Sequence, residues 1–212
     1  MTSESCSAGK IVGVVLAAGG SKRLGHPKQL VEIDGSPLIV RAVDALLAVP
    51  EITDILVILG AHAAKIRPLL SSCSRAVQLV DVPDWNDGLS RSIRAALAEI
   101  GRNIPDARSA LFTLCDQPNL DHRAIKALVA TAESTPASIV AAQYDGHPGA
   151  PCLIDQRHFE FLSRIEGDQG ARALFSAVNP ADIAGVDLPQ LSLDLDTPED
   201  LQQWQNSQPN AT

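Results

Sequence analysis

The sequence predicts an α/β fold: a single domain built on one doubly wound, mostly parallel sheet. Three observations lead there. Short runs rich in Val, Ile and Leu recur along the chain, and amphipathic stretches of about ten to fourteen residues separate them. Connections of that length are crossovers, which join parallel strands. No internal repeat and no linker rich in Pro, Gly or Ser divides the chain. With 212 residues, 45% of them apolar and 20% charged, it can bury a core without disulfides or a structural metal.

Residues 1–9 are Ser-rich and without pattern, so they are expected to be a disordered tail, with the folded domain over 10–207 and a second tail over 208–212. Lys10 to Ala18 (KIVGVVLAA) reads as a strand buried on both faces, ending at Gly19-Gly20. Ser36 to Val49 carries Ser as a cap, Pro at the first helical position and apolar spacing of three and four. Strand Thr53–Leu59, helix Ala61–Leu70, strand Ala76–Val82, helix Gly88–Ile100 and strand Ser109–Leu114 continue the alternation. Helix Asp121–Glu133 and strand Ala137–Gln143 come next, then a short strand over Cys152–Ile154. Helical stretches over Gln156–Arg164 and Gln169–Val178 lead to a last strand near Leu191–Leu195, and Pro198 opens a terminal helix.

Composition excludes several classes. The formal net charge is -8 and only 3% of residues are aromatic, which argues against a nucleic-acid partner. The longest apolar run, Ile11 to Gly20, is about half of a membrane span, so no membrane partner is expected. No basic segment leading into an apolar run and a cleavage site opens the sequence, and a cytoplasmic location is expected. Cys6, Cys73, Cys115 and Cys152 form no C-x-x-C pair, and the five histidines show no i, i+4 ligand pair, so neither suggests a transition-metal site.

Folds of this class bind ligands beyond the carboxyl ends of their strands, at a switch point in strand order. Three constellations lie at such ends. In Leu16-Ala17-Ala18-Gly19-Gly20-Ser21-Lys22-Arg23, continuing to Lys28, the glycines let backbone amides approach a phosphate, and Ser21 supplies a hydroxyl. Arg23 offers bidentate contacts, while Lys22 and Lys28 act as point charges. The loop matches neither the Walker A nor the G-x-G-x-x-G pattern. Cys115-Asp116-Gln117-Pro118 ends an apolar strand with a carboxylate that can hold magnesium beside phosphates, or serve as an N-cap or turn Asp before Pro118. In Leu193-Asp194-Leu195-Asp196-Thr197-Pro198, two carboxylates share one side of a strand. Asp196 stands at its end as a second metal-facing group or a helix cap, and Asp194 is the structural member. Trp85 to Ser92 places Gly88, Ser90 and Ser92 at a helix start, which suits base or phosphate contacts and equally an ordinary capped helix, and Asp168 is a candidate helix cap.

The ordered set L-A-A-G-G-S-K-R-L-G-x-x-K, D-Q-P, G-D-Q-G-A-R and D-x-D-T-P-E-D-L resembles the molybdenum cofactor guanylyl- and cytidylyltransferases, and within them the cytidylyltransferases. It spans Ile11 to Leu201, nearly the whole chain. The resemblance implies a Rossmann-like fold of the nucleotide-diphospho-sugar transferase type and a nucleotidyltransferase that moves CMP from CTP to the phosphate of molybdopterin cofactor. It implies nucleotide contacts from Leu16, Ala17, Ala18, Gly19, Gly20, Ser21, Arg23, Lys28, Gly88, Ser90, Ser92 and Asp116. Catalytic roles fall to Arg23, Lys28 and Asp116, and a metal site for Mg²⁺, or Mn²⁺, to Asp116 and Asp196. A molybdoenzyme or its chaperone is the implied protein partner. The L-A-A-G form favours CTP, since guanylyl members tend to show L-A-G-G. Two departures stand out: Val82 where members often carry Asn, and Gly149-Ala150-Pro151 where many cytidylyl members show G-H-P. The alternatives are guanylyl transfer, cytidylyl transfer to another phosphorylated small molecule, or a non-catalytic cofactor-binding maturation partner.

Overall fold

The structure, a computed structural model, describes residues 9–207 apart from 72 and 75. The tails expected over 1–9 and 208–212 lie, except for Gly9, outside the described residues, as does Cys6. In chain order the strands are β1 (Lys10–Ala17), a two-residue pair β2 (Glu32–Ile33) and β3 (Ser36–Pro37), β4 (Ile52–Leu59), β5 (Val77–Asp81), β6 (Ala107–Leu114), β7 (Ile139–Tyr144), β8 (His147–Asp155) and β9 (Ile183–Asp187). The helices are α1 (Leu38–Leu47), α2 (Ala63–Leu70), α3 (Leu89–Asn103), α4 (His122–Ser134), α5 (Phe159–Leu162), α6 (Ala171–Ala177) and α7 (Pro198–Ser207).

Seven strands form one sheet in the order β5-β4-β1-β6-β8-β7-β9. Every neighbouring pair is parallel except those of β8, which runs antiparallel to both β6 and β7. Chain order leaves β1 toward β4 on one side and reaches β6 on the other, so the switch point lies at the carboxyl end of β1. Alternation along β1 feeds a core on each face. Val15 and Ala17 pack with Ile39, Leu46, Ile66 and Leu128 from α1, α2 and α4. Val12, Val14 and Leu16 pack with Ile93, Leu97, Leu162 and Leu174 from α3, α5 and α6. A third, smaller core of Leu24, Val31, Ile33, Leu38, Leu195 and Trp204 seats α7 and the segment before it on the β2–β3 hairpin.

Four expectations need correction. The strand near Leu191–Leu195 is absent: Pro189–Leu191 is a 3-10 turn, and Ser192 to Thr197 run irregularly. The alternating leucines that imitate a strand bury Leu191 and Leu195 in two different cores instead. The last strand is β9, whose Ala and Gly hide its pattern and whose Asp187 end is exposed at the sheet edge. Ser36 is not a cap, because Ser36–Pro37 pair with Glu32–Ile33, and the Leu38 amide donates to the Val31 carbonyl at 2.9 Å. Asp168 does not cap α6, whose N-cap is Gly170 and which has no side-chain cap.

The ends of β1 and β4 meet closely enough that Gly60 is obligatory. A Cβ there would lie 2.5 Å from the Ala18 carbonyl oxygen and 2.7 Å from Cγ of Trp85. Overpacking against backbone cannot be relieved by a rotamer change. Gly60→Ala is therefore expected to lower stability by about 1–3 kcal/mol, read as a lower urea midpoint with an unchanged slope.

Candidate active site

A cleft of about 640 Å³ opens at the switch point, over the ends of β1 and β6. One wall is the loop from Ala18 to Arg23, the opposite wall is Trp85 to Ser92, and the floor is Leu114 to Asp116. Four charged side chains from three distant segments meet at its mouth. Lys28 Nζ donates to Asp116 Oδ2 and, at 3.1 Å, to Asp196 Oδ1. Arg23 donates to the other oxygen of Asp196, Oδ2, at 2.6 Å. Burial works against the Lys28 charge, yet the Asp116 and Asp196 carboxylates hold its pKa above the ordinary lysine range.

Local chemistry puts each member in place. Asp116 follows the last residues of β6, a strand buried on both faces, and its carbonyl accepts from the Leu195 amide at 2.9 Å. That bond and the burial of Leu195 in the third core bring Asp196 back to the cleft, 80 residues after Asp116 in sequence. Thr197 and Asp200 then start α7 by mutual capping: Asp200 accepts from the Asp196 and Thr197 amides, and the Thr197 hydroxyl accepts from the Asp200 amide. Lys28 opens a 3-10 turn whose next residue, Gln29, is fully buried beneath the loop. Gln29 Nε2 donates to the carbonyls of Ala17 and Gly19, each at 2.9 Å.

Leu16, Ala17, Ala18, Gly19, Gly20, Ser21, Arg23, Lys28, Gly88, Ser92, Asp116 and Asp196 all line this cleft. Ser90 does not: it is buried, and its amide donates to the Gly167 carbonyl at 3.0 Å. The Ser21 hydroxyl turns inward and accepts from the Lys28 amide at 3.0 Å. Gly88, at φ 113°, meets the 167 loop so closely that a Cβ would lie 2.3 Å from the Gly167 carbonyl. Ala18 is 5% exposed, and its methyl faces Gly60. Gln29, Trp85, Asp168 and Asp194 also belong to the cleft and were not singled out for it by sequence. Trp85 packs on Gly20, where a Cβ would lie 2.9 Å from its ring, a contact that only the folded chain shows.

A family profile described as the MobA-like NTP transferase domain matches residues 13–182, most of the chain. The chain belongs to the MobA-like NTP transferase family. It is 31% identical over 177 residues to the nicotine blue oxidoreductase of Paenarthrobacter nicotinovorans, covering 76% of this chain and 79% of that one. It is 34% identical over 118 residues to a probable molybdenum cofactor guanylyltransferase of Bacillus cytotoxicus, covering 55% and 54%. Among solved structures it resembles the Rv0371c protein of Mycobacterium tuberculosis, with a TM-score of 0.79, 27% identity and coverage of 95% and 100%.

In this MobA-like transferase the pair Asp116 and Asp196 fits a hard divalent cation. All donors are oxygens, and Asp116 Oδ1 is buried with no hydrogen-bond partner. Among the described residues no group of three or more His, Cys, Asp or Glu gathers to hold a metal. Two carboxylates with phosphate oxygens and water are the set that Mg²⁺ usually takes.

A second chamber of about 230 Å³ adjoins the cleft, and Leu16, Leu89, Leu114, Asp168 and Asp194 border both. Its walls are mainly apolar, with Ile93, Phe112, Ile154, Leu162 and Phe175. Tyr144, whose hydroxyl donates to the Ala150 carbonyl at 3.0 Å, and Arg172 add polar groups. Among the described residues no helix is long and apolar enough to cross a membrane.

Asp194 lines the cleft rather than supporting a strand. Partial burial, with the negative charges of Asp116 and Asp196, pushes its pKa from 3.8 up to about 7. A carboxyl whose folded pKa is raised binds more protons folded than unfolded, so stability falls as pH rises between those two values. Asp194→Asn is expected to abolish that fall: urea melts at pH 4 and pH 8 should show the variant gaining on the parent only at pH 8.

Proposed function

We propose that this MobA-like transferase moves CMP from CTP to the terminal phosphate of molybdopterin cofactor, releasing pyrophosphate, with Mg²⁺ or Mn²⁺ held by Asp116 and Asp196. The observation that carries this reading is the meeting of Lys28, Arg23, Asp116 and Asp196 at the mouth of the Gly19–Gly20 loop. Paired cations and carboxylates beside free backbone amides suit a metal-bound triphosphate. CTP is supported by the L-A-A-G form of Leu16 to Gly19. The acceptor is supported by the likeness to a molybdenum cofactor transferase and by the adjoining chamber. We place the protein in the cytoplasm and the nucleotidyltransferase domain over residues 10–207.

Each side chain has a task in that reaction. The loop amides and Arg23 hold the triphosphate, and Gly88 and Ser92 approach the base. Lys28 leaves the two carboxylates to bind phosphate oxygens as the ligand enters. A phosphate oxygen of the acceptor attacks the α-phosphorus in line, the bond from the α-phosphorus to the bridging oxygen breaks, and the electron pair leaves on pyrophosphate. The attacking monoester is largely ionised near neutral pH, so no side chain must remove a proton. A divalent cation on Asp116 and Asp196 supplies charge neutralisation to the phosphate oxygens. Arg23 and Lys28 supply the rest through fixed positive charge.

A second reading, guanylyl transfer, is favoured by the likeness to the Bacillus cytotoxicus protein. Pyrophosphate release with Mg²⁺ and molybdopterin cofactor, offering CTP, GTP, ATP and UTP separately, decides between them. Turnover with CTP alone is expected. Turnover with GTP alone selects the second reading, and no turnover with any nucleotide in folded protein refutes both. Asp116→Asn or Lys28→Met is expected to remove about 2–4 kcal/mol of transition-state stabilisation, seen as a drop of roughly 30- to 1000-fold in kcat/KM.

A further inference from the structure

We propose that Gln29 is a positioning residue that sets the direction of the amides in the Gly19–Gly20 loop, and so the affinity of the site for polyphosphate. The inference rests on the nucleotidyltransferase reading. Gln29 is uncharged and fully buried, a position where a leucine or methionine would fill the same volume at no polar cost. Its amide nitrogen spends both hydrogens on the loop, one on the Ala17 carbonyl and one on the Gly19 carbonyl.

In a planar trans peptide the carbonyl and the following N–H point in opposite directions. With the Ala17 and Gly19 carbonyls turned onto Gln29, the N–H groups of Ala18 and Gly20 point away from it. The Ala18 carbonyl between them and the Gly20 carbonyl after them also have partners within the protein. Ala18 accepts from the Ala61 amide at 3.1 Å, and the Gly20 carbonyl lies 3.3 Å from His62 Nε2. Four consecutive carbonyls are thus withdrawn from the cleft, two of them by one side chain. Among the described residues the Gly19 and Gly20 amides donate to no backbone or side-chain acceptor. A row of unspent amides without competing carbonyls is an anion-binding surface.

Glycine makes the pin necessary. Nothing lies within 4 Å of where a Cβ of Gly19 would be, so sterics do not fix the peptide that follows it. Without the Gln29 donor that peptide is free to turn its carbonyl to the cleft, which faces a triphosphate with negative rather than positive charge. The Ser21 hydroxyl, 3.5 Å from Gln29 Oε1 and accepting from the Lys28 amide, ties the far side of the loop to the same turn.

The test uses the full chain, inorganic tripolyphosphate and CTP with Mg²⁺, by calorimetry and by amide spectra of protein labelled with ¹⁵N-glycine. In the parent, tripolyphosphate is expected to bind and to shift the Gly19 and Gly20 amide signals. Gln29→Met, which fills the space but donates nothing, is expected to weaken tripolyphosphate and CTP alike by at least tenfold, with the Gly20 shift lost. Gln29→Glu, which faces the two carbonyls with oxygens, is expected to weaken them further. A folded Gln29→Met protein that binds tripolyphosphate within twofold of the parent overturns the proposal. So does a parent in which tripolyphosphate binds while the Gly19 and Gly20 signals stay still, and that result needs no variant to fold. A parent that binds neither tripolyphosphate nor any nucleoside triphosphate overturns the nucleotidyltransferase reading itself.

Discussion

The bridge from Lys28 to Asp116 and Asp196 is the contact around which the molecule is arranged. Two carboxylates brought together at the end of a buried sheet repel each other and lose hydration, so they need a cation between them. Lys28 is that cation, with a side chain only 17% exposed. The fold gathers the three residues with separate devices. The central strand pair β1–β6 presents Asp116 beside the loop, and the third core holds Leu195 and α7 so that Asp196 returns to it. The Arg23–Asp196 contact is of a different kind: its arginine is 70% exposed, so it orders the cleft mouth more than it stabilises the fold.

Under the proposed function, the charge balance at the cleft would suit a metal and a nucleotide together. Arg23 and Lys28 pair with Asp116 and Asp196, while Asp194 has no such cation among the described residues, and its pKa is raised first by burial and then by the charges of Asp116 and Asp196. A triphosphate alone would take the two cations and strand the carboxylates. A divalent cation alone would compete with Lys28 for them. Arriving together, each would satisfy what the other releases, so Arg23, Lys28, Asp116 and Asp196 could exchange partners without being stranded.

Much of this was legible in the sequence, and the reasons are local. β1, β4 and β6 announce themselves because a strand buried on both faces must be apolar throughout, and α3 does so through its one apolar face. The loop cations and Asp116 were legible because each follows such a strand. Asp194 was misplaced because an alternating L-S-L-D-L segment imitates a strand, whereas its leucines serve two cores that only the folded chain separates. β9 was missed because an edge strand of Ala and Gly carries little pattern. Gln29 gave no signal at all, since a polar residue after a lysine reads as a solvated turn until the loop folds over it.

The adjacency of Lys28 and Gln29 has a structural logic of its own. One 3-10 turn sends consecutive side chains to opposite tasks: Lys28 out to the carboxylates and Gln29 in beneath the loop carbonyls. In the proposed reaction, the ammonium that would meet the phosphates and the amides that would cradle them are thereby tied to the same turn. Their separation is set by that turn and by the Ser21 hydroxyl, which accepts from the Lys28 amide. The intervening Lys22, Gly25 and His26 are exposed, while Ser21 and Gln29 hold the two ends of the segment together.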